Sequence, residues 1–432
     1  MEEYLNSNLI LDDDGKLVIF NVPSSRIFTV KSKDNLKDTL EKINAKCADN
    51  EIVKKRPPED IKYKQMIISC AEECNLQCKY CFADKGHYNQ DEHRIMEYED
   101  YVKLLDFIKT LDYGLGSICL FGGEPLLGFK SIKIFIADLK EYYEEKGYDM
   151  PKLGIVTNGT LITREIADFF DEYNFIVSIS IDGDKKNNDL NRIFKYSNDS
   201  VYDTIVKNMK LLRKRSFILT ASATISRYTI LNYKPGDYQN TVKELRDMGF
   251  DIAECFLADE NYEITEREKR NIEAFAKDQV DYLFEKVSAG VELENIPRIP
   301  LGILSSIIKK EYANECPAGK YLFYYTSKGD FYPCQMYFAA KRKTSKLVSR
   351  SENKYCKDCF LVNICSGYCP GSSVLANGDE NTILERRCIF HKALVKECIL
   401  KLNRYMNDEM HTLAEIKRFC KNMVEVSKKY SL

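Results

Sequence analysis

The chain has 432 residues and a formal net charge of −2, with 64 Lys and Arg set against 66 Asp and Glu, so no basic excess marks it for nucleic acid or an anionic membrane surface. Its length passes the roughly 250 to 300 residues at which one core stops growing, which predicts more than one domain. It opens MEEYLNSNLILDDDGK, without an apolar signal core, and nowhere runs to about 18 uninterrupted apolar residues, so its sixteen cysteines read as cytoplasmic thiols for metal or redox use, not as a disulfide framework.

Near the start, LVIFNVPSSRIFTV alternates as two strands turning at Pro23-Ser24-Ser25, and Leu36, Leu40 and Ile43 then recur at helical spacing. A small β-hairpin plus helix is expected over residues 1–60. Two proline-bearing stretches, KKRPPED with Pro57 and Pro58 and ENIPRIP with Pro297 and Pro300, read as linkers. Between them, over 61–300, lie six apolar segments: QMIIS, ICLFGG, LGIVTNG, IVSISIDG, LTASATI and IAECFLA. Helical stretches such as YEDYVKLLDFIKTL, SIKIFIADLKEYYEEKG and DTIVKNMKLLRK connect them, and another follows from about Thr265 to Val287. Alternation of this kind predicts an α/β fold with a parallel sheet. Spacing alone does not choose between an incomplete barrel and an open doubly wound sheet. A Cys-rich region over 301–395 and C-terminal helices over 396–432 complete the chain.

Ligands gather at the carboxyl ends of parallel strands in either architecture, and the polar motifs fall there. Cys74, Cys78 and Cys81 form a C-x3-C-x2-C run after the first strand. Three thiolates do not close a four-coordinate soft-metal site, so one position is left for a substrate or cofactor. The second strand ends in Gly122-Gly123-Glu124-Pro125 and the third in Thr157-Asn158-Gly159, while the fourth carries Ser178, Ser180 and Asp182. Taken singly, each of these also fits a turn or a locally bonded hydroxyl. Their shared placement at one end of the sheet is what points to a site.

In this order, CNLQCKYC, FGGEP, TNG and SISIDG followed by Arg192 resemble the radical S-adenosylmethionine (SAM) enzymes over roughly residues 62 to 260. The resemblance implies an incomplete (β/α)6 TIM-like barrel whose Cys74, Cys78 and Cys81 hold a SAM-binding [4Fe-4S] cluster. It further implies that Gly122, Gly123 and Glu124 contact the methionyl amine of SAM and that Asn158, Ser180 and Arg192 meet its ribose and carboxylate. Tyr80 and Phe82 would lie near the adenine. An external electron donor such as flavodoxin or ferredoxin is implied as a partner.

Cys316 and Cys334 precede a C-x2-C-x5-C-x3-C series, Cys356, Cys359, Cys365 and Cys369, and Cys388 follows. A zinc ribbon is one reading, because Cys356 and Cys359 have zinc-knuckle spacing. The whole series looks like the SPASM extension of radical SAM enzymes that modify peptides. That likeness implies an outer auxiliary cluster on Cys356, Cys359, Cys365 and Cys388 and an inner one on Cys316, Cys334 and Cys369, three [4Fe-4S] clusters in all. Two positions depart from the sulfatase-maturating relatives. Gln335 stands where they carry a proton-accepting Asp, and Lys310 stands where they carry a fourth inner ligand. Formylglycine formation is thereby disfavoured, and the inner cluster is expected to keep an open iron unless Cys255 closes it. Cys398 and Cys420 lie on apolar helix faces and read as core, and Cys47, Cys70 and Cys119 as structural.

The resemblance is greatest to maturases that build thioether (ranthipeptide or sactipeptide) bonds in ribosomally made Cys-containing peptides. It implies a precursor peptide whose leader is gripped by the N-terminal segment, a hydrogen abstraction, and a bond from a Cys sulfur to carbon. Other radical outcomes, a C–C crosslink, epimerisation or formylglycine, are the alternatives among enzymes. A zinc-stabilised binding module is the alternative outside them. The sequence names no catalytic acid or base.

Overall fold

A computed structural model describes residues 2–5, 7–30, 35–50, 52, 64–111, 114–213, 215–260, 262–288, 296–312, 316–365, 369–408 and 411–430. The expected linker at Pro57 and Pro58 lies outside them. The N-terminal part is larger than a hairpin. Strands β1 (Glu2–Leu5), β2 (Asn8–Asp13), β3 (Lys16–Asn21) and β4 (Arg26–Val30) form one antiparallel sheet in that order. The turn between β2 and β3 is Asp14-Gly15, both with positive φ (51° and 84°), the geometry that matches hairpin twist. One face of this sheet packs Ile10, Leu17 and Ile19 on Leu40, Ile43 and Cys47 of helix Leu36–Cys47. The other face buries Leu9, Leu11, Val18 and Phe20 in the main core.

All six expected barrel strands form: β5 (Gln65–Ala71), β6 (Ser117–Gly122), β7 (Lys152–Thr157), β8 (Ile176–Ser180), β9 (Ile218–Ile225) and β10 (Ile252–Leu257). They pair in parallel in strict chain order. A doubly wound sheet reverses direction at a switch point, and this one does not. It also curves, because Gln65, Ser117, Lys152, Ile176, Thr220 and Glu254, one from each strand, line a single cavity of about 420 Å³. Winding in one sense around a lumen is what a partial barrel does. The expected helices appear as Tyr98–Lys109, Phe129–Lys146, Val201–Leu212 and Glu266–Ser288.

Two features differ from the sequence reading. Pro297 caps helix Arg298–Lys309 and Pro300 sits in its first turn, where a missing N–H costs nothing, so these prolines start a helix and are not a linker. Past that helix, β11 (Leu322–Tyr325) pairs in parallel with β5, and β12 (Phe331–Tyr332) pairs antiparallel with β11. The Cys-rich region therefore extends the barrel sheet. Helix Glu385–Asn407 packs on Glu266–Ser288 through the stacked rings of Phe275 and Phe390. None of the described helices is long and apolar enough to cross a membrane.

Candidate active site and auxiliary cysteine sites

β5 ends at Ala71, and the three cysteines follow in a loop without regular structure. Segment 191–195 holds that loop. The amides of Gln77 and Lys79 donate to the carbonyls of Ile193 (2.8 Å) and Asn191 (3.0 Å), and that of Lys195 donates to Asn75 (3.0 Å). This pairing brings Arg192 next to Cys78 and places its guanidinium 5.5 Å from the centre of the Tyr80 ring. Arg192 donates to Asp182 at 2.9 Å, and both residues are buried. Asp182 also accepts from the Tyr80 hydroxyl and, at 2.9 Å, from the Thr224 amide. One buried carboxylate thus organises the loop, the end of β8 and β9.

The Gly122-Gly123 pair makes room for the cysteine loop as much as for any ligand. Gly122 has φ +142°, and a Cβ there would lie 2.3 Å from the Ala71 carbonyl oxygen; at Gly123 it would lie 2.3 Å from that of Glu73. The amides of Gly123 and Glu124 donate to these two carbonyls at 2.7 and 2.8 Å.

Glu124 has protein partners for its acid group. Its carboxylate is fully buried and accepts from the Leu126 amide (3.0 Å), the Thr157 hydroxyl (2.7 Å) and the Asn158 amide (2.7 Å). Its acid group clamps β6 to β7 and does not line the cavity described next. Burial pushes its pKa up from an ordinary 4.5 to about 7, against the pull of the three donors. A carboxyl raised in the folded state binds more protons there than when unfolded, so its contribution to stability falls as pH rises from about 4.5 through about 7. Glu124→Gln is expected to remove that slope and, by leaving one donor unpaired, to cost about 1–3 kcal/mol at neutral pH. Denaturant midpoints of the two proteins across that pH range check both.

A cavity of about 310 Å³ collects Cys74, Cys78 and Cys81 with Tyr80, Phe82, Gly122, Gly123, Asn158, Ser180 and Arg192. Every residue expected at the site lines it except Glu124. Burial pushes Cys74 up to about 12 and Cys78 up to about 11, the latter eased by Arg192, so a metal is what would keep these sulfurs as thiolates. The buried Nε of Arg192 has no hydrogen-bond partner among the described residues, and an anionic group in the cavity would satisfy it. Asn158 is less open than expected: its amide donates to Asn75 (2.8 Å) and its oxygen accepts from Thr160 (2.7 and 3.0 Å).

Sequence reasoning missed the opposite wall. Phe256, Asp259 and Arg387 also line the cavity. Arg387 holds Asp259 by two bonds of 2.6 and 2.8 Å, and Ser372 donates to the same carboxylate at 2.5 Å. Ser372 in turn donates its amide to Cys369 sulfur at 3.4 Å, so this wall runs directly to the inner cysteines. Asp259 follows the sixth strand as the other motifs follow theirs, and that was its signal.

Cys356, Cys359, Cys365 and Cys388 line one cavity of about 60 Å³. His391, one turn after Cys388 on helix Glu385–Asn407, joins them. Its buried Nδ1 has no partner among the described residues, and burial pushes its pKa down to about 4, so it stands there neutral. Cys316, Cys334 and Cys369 lie close enough for their charges to act on one another, and burial pushes Cys334 up to about 12. Among the described residues no three cysteine sulfurs come within 4.8 Å of one another.

Cys255 is not the fourth inner ligand. It alternates along β10 with Glu254 and Phe256, which face the lumen, and is buried on the helix side near Tyr238. Cys398 lies against the Pro300 carbonyl and Cys420 is on helix Leu413–Tyr430. Lys310 is the left-handed C-cap of helix Arg298–Lys309.

The family model described as the Radical SAM superfamily matches residues 68–245. The radical SAM cyclopropyl synthase TigE of Paramaledivibacter caminithermalis is 26% identical over 393 residues, 81% of this chain and 77% of that one. A cysteine-type anaerobic sulfatase-maturating enzyme of Clostridium perfringens is 24% identical over 333 residues, 70% of this chain and 88% of its own. In fold, the solved structure of native anSMEcpe with bound AdoMet and Cp18Cys peptide superposes with a TM-score of 0.62 at 20% identity, covering 80% of this chain and 99% of that one. The cysteine loop, the glycine turn and the ends of the parallel strands that carry them all lie within residues 68–245, and this chain therefore carries a radical SAM domain over that stretch.

Proposed function

We propose that the chain is a maturase of a ribosomally made, Cys-containing peptide and forms a thioether between a Cys sulfur and a carbon of that peptide. The observation that carries this reading is one continuous wall: the cavity of the Cys74, Cys78 and Cys81 loop is joined through Asp259 and Ser372 to Cys369 of an inner trio. A fourth protein thiol is not placed at that trio among the described residues. A [4Fe-4S] cluster on the loop, with SAM, supplies when bound an electron and a 5′-deoxyadenosyl radical able to take hydrogen from an unactivated C–H bond.

The residues of the chain position and exclude. Arg192 offers its spare Nε to the carboxylate of SAM, Ser180 and the backbone of Gly122 and Gly123 offer polar contacts, and Phe82 and Tyr80 wall the cofactor from water. Asp259, neutralised by Arg387, presents a polar edge on the substrate side. Cys316, Cys334 and Cys369 hold the inner auxiliary cluster, whose remaining position suits a soft peptide thiolate. Cys356, Cys359, Cys365 and Cys388 hold the outer one with the His391 N–H nearby. An external flavodoxin or ferredoxin supplies electrons. The N-terminal sheet, whose β4 edge pairs with β3 alone among the described residues, receives an extended leader as an added strand.

Formylglycine formation is a poorer fit, because Gln335 after Cys334 is a neutral amide that takes no proton. A C–C bond, in keeping with the cyclopropyl synthase relative, is the second reading. Anaerobic co-expression with a short Cys-rich peptide encoded beside the gene separates them. A thioether and a C–C bond both remove two hydrogens, but only the thioether consumes a thiol. A peptide that loses two hydrogens and still alkylates at every Cys would overturn the thioether reading, and colourless, zinc-bearing protein without acid-labile sulfide would overturn the cluster assignment.

A further inference from the structure

We propose that Glu73, His87 and His93 form a separate site for a divalent first-row transition metal, with Zn²⁺ as the fitting ion. This inference is independent of the peptide reaction above. The chain has four histidines, and two of them meet at one carboxylate. Glu73 Oε1 lies 2.6 Å from His93 Nδ1 and its Oε2 lies 3.4 Å from His87 Nε2. One ligand atom from each residue falls within 4.8 Å of the other two, the one such group among the described residues.

A second observation concerns the rings themselves. The two imidazoles stack with centroids 3.9 Å apart and planes 4° from parallel. Face-to-face rings are not the arrangement aromatic pairs prefer, and here both rings turn a nitrogen to the same carboxylate. Two imidazoles and one carboxylate are a donor set that Zn²⁺ and its neighbours take. Mg²⁺ and Ca²⁺ take oxygen ligands instead. The three side chains are 30 to 34% exposed, enough for a hydrated ion to enter and for water to complete its coordination. Lys195 Nζ, 3.7 Å from Glu73 Oε2, neutralises that oxygen and swings away on its long stem when a cation takes its place.

What such an ion would do follows from where the ligands sit. Glu73 immediately precedes Cys74. His87 and His93 lie in the next turns of chain, where Asp84, Lys85, Gly86, Tyr88 and Asn89 all have positive φ. Gly86 packs so closely on the cysteine loop that a Cβ would lie 2.9 Å from the Cys74 amide nitrogen. A metal bridging Glu73 to both histidines ties this irregular segment to the loop and resists its opening.

The test uses anaerobically prepared holoprotein, dialysed against micromolar Zn²⁺, with zinc, iron and acid-labile sulfide measured on the same samples. Wild type is expected to hold one zinc per chain, and His87→Ala, His93→Ala and Glu73→Gln to lower its zinc affinity by about tenfold or more with iron and sulfide unchanged. No bound zinc in wild type, or equal zinc in the variants, would overturn the site. Should the variants also lose iron, zinc-edge X-ray absorption on wild type decides: a shell of nitrogen and oxygen with imidazole scattering supports the proposal, and a sulfur shell overturns it.

Discussion

A Cys78→Ala chain is expected to lose reductive cleavage of SAM completely while keeping the iron of both auxiliary sites. The loop offers three thiols to its cavity, and two thiolates leave two positions of a four-iron cluster without protein ligands, too weak an anchor for an exchangeable site. Cys78 also sits beside the Arg192–Asp182 pair, whose guanidinium offsets part of the burial penalty on its thiol. Of the later cysteines, Cys334 and Cys369 cap helices Gln335–Ala339 and Pro370–Asn377 and Cys388 lies on helix Glu385–Asn407, all apart in chain from the loop. Iron per chain should therefore fall by the content of one cluster, and 5′-deoxyadenosine by chromatography should fall to background. Cys388→Ala is the matched control, losing outer-cluster iron while SAM cleavage without peptide continues. Undiminished 5′-deoxyadenosine from Cys78→Ala would remove the loop from the chemistry.

Gly122→Ala is expected to be the most damaging change that deletes no ligand. Two penalties coincide at one atom. The backbone has φ +142°, and the added Cβ would meet the Ala71 carbonyl oxygen at 2.3 Å and its amide nitrogen at 3.0 Å. Left-handed or wider backbone in a non-glycine residue costs about 1–3 kcal/mol, and forced overpacking about another 1–3 kcal/mol. The neighbouring atoms are backbone in β5 and cannot rotate away. The strand would have to move, taking with it the Gly123–Ala71 and Glu124–Glu73 hydrogen bonds that carry the cysteine loop. Loss of most of the loop's iron and a lower thermal midpoint are expected together. Gly147→Ala, where a Cβ meets nothing within 4 Å though φ is +67°, should lower the midpoint far less and leave iron intact.

Much of this architecture was legible because it depends on short-range pattern. The six barrel strands are apolar runs ended by glycine or polar turns, and the helices between them show a 3.6-residue apolar period. The β2–β3 hairpin is legible too, in NLILDD-DG-KLVIFN, where Asp14-Gly15 is a strong turn signal. β11 was not, since YLFYY reads as strand, loop or helix until β5 offers it an edge. Asp182 illustrates the site. Its place after strand four was visible, but its grip on Arg192, Tyr80 and Thr224 depends on how loop 191–195 lies against the cysteines.

By itself the sequence determined the candidate ligands and their order: three thiols after one strand, a glycine pair after the next, and a series of seven cysteines from Cys316 to Cys388 beyond the barrel. Spacing along the chain settles these, because neighbouring ligands need neighbouring backbone. Only the tertiary structure decided between barrel and open sheet, since that is a question of strand order and curvature. A one-residue phase in β10 puts Cys255 on the helix side, and the donors around Glu124 hold its carboxylate as a buried clamp. His87 and His93, six residues apart without a helix between them, met at Glu73 only because Gly86 lets the intervening loop fold back onto Cys74.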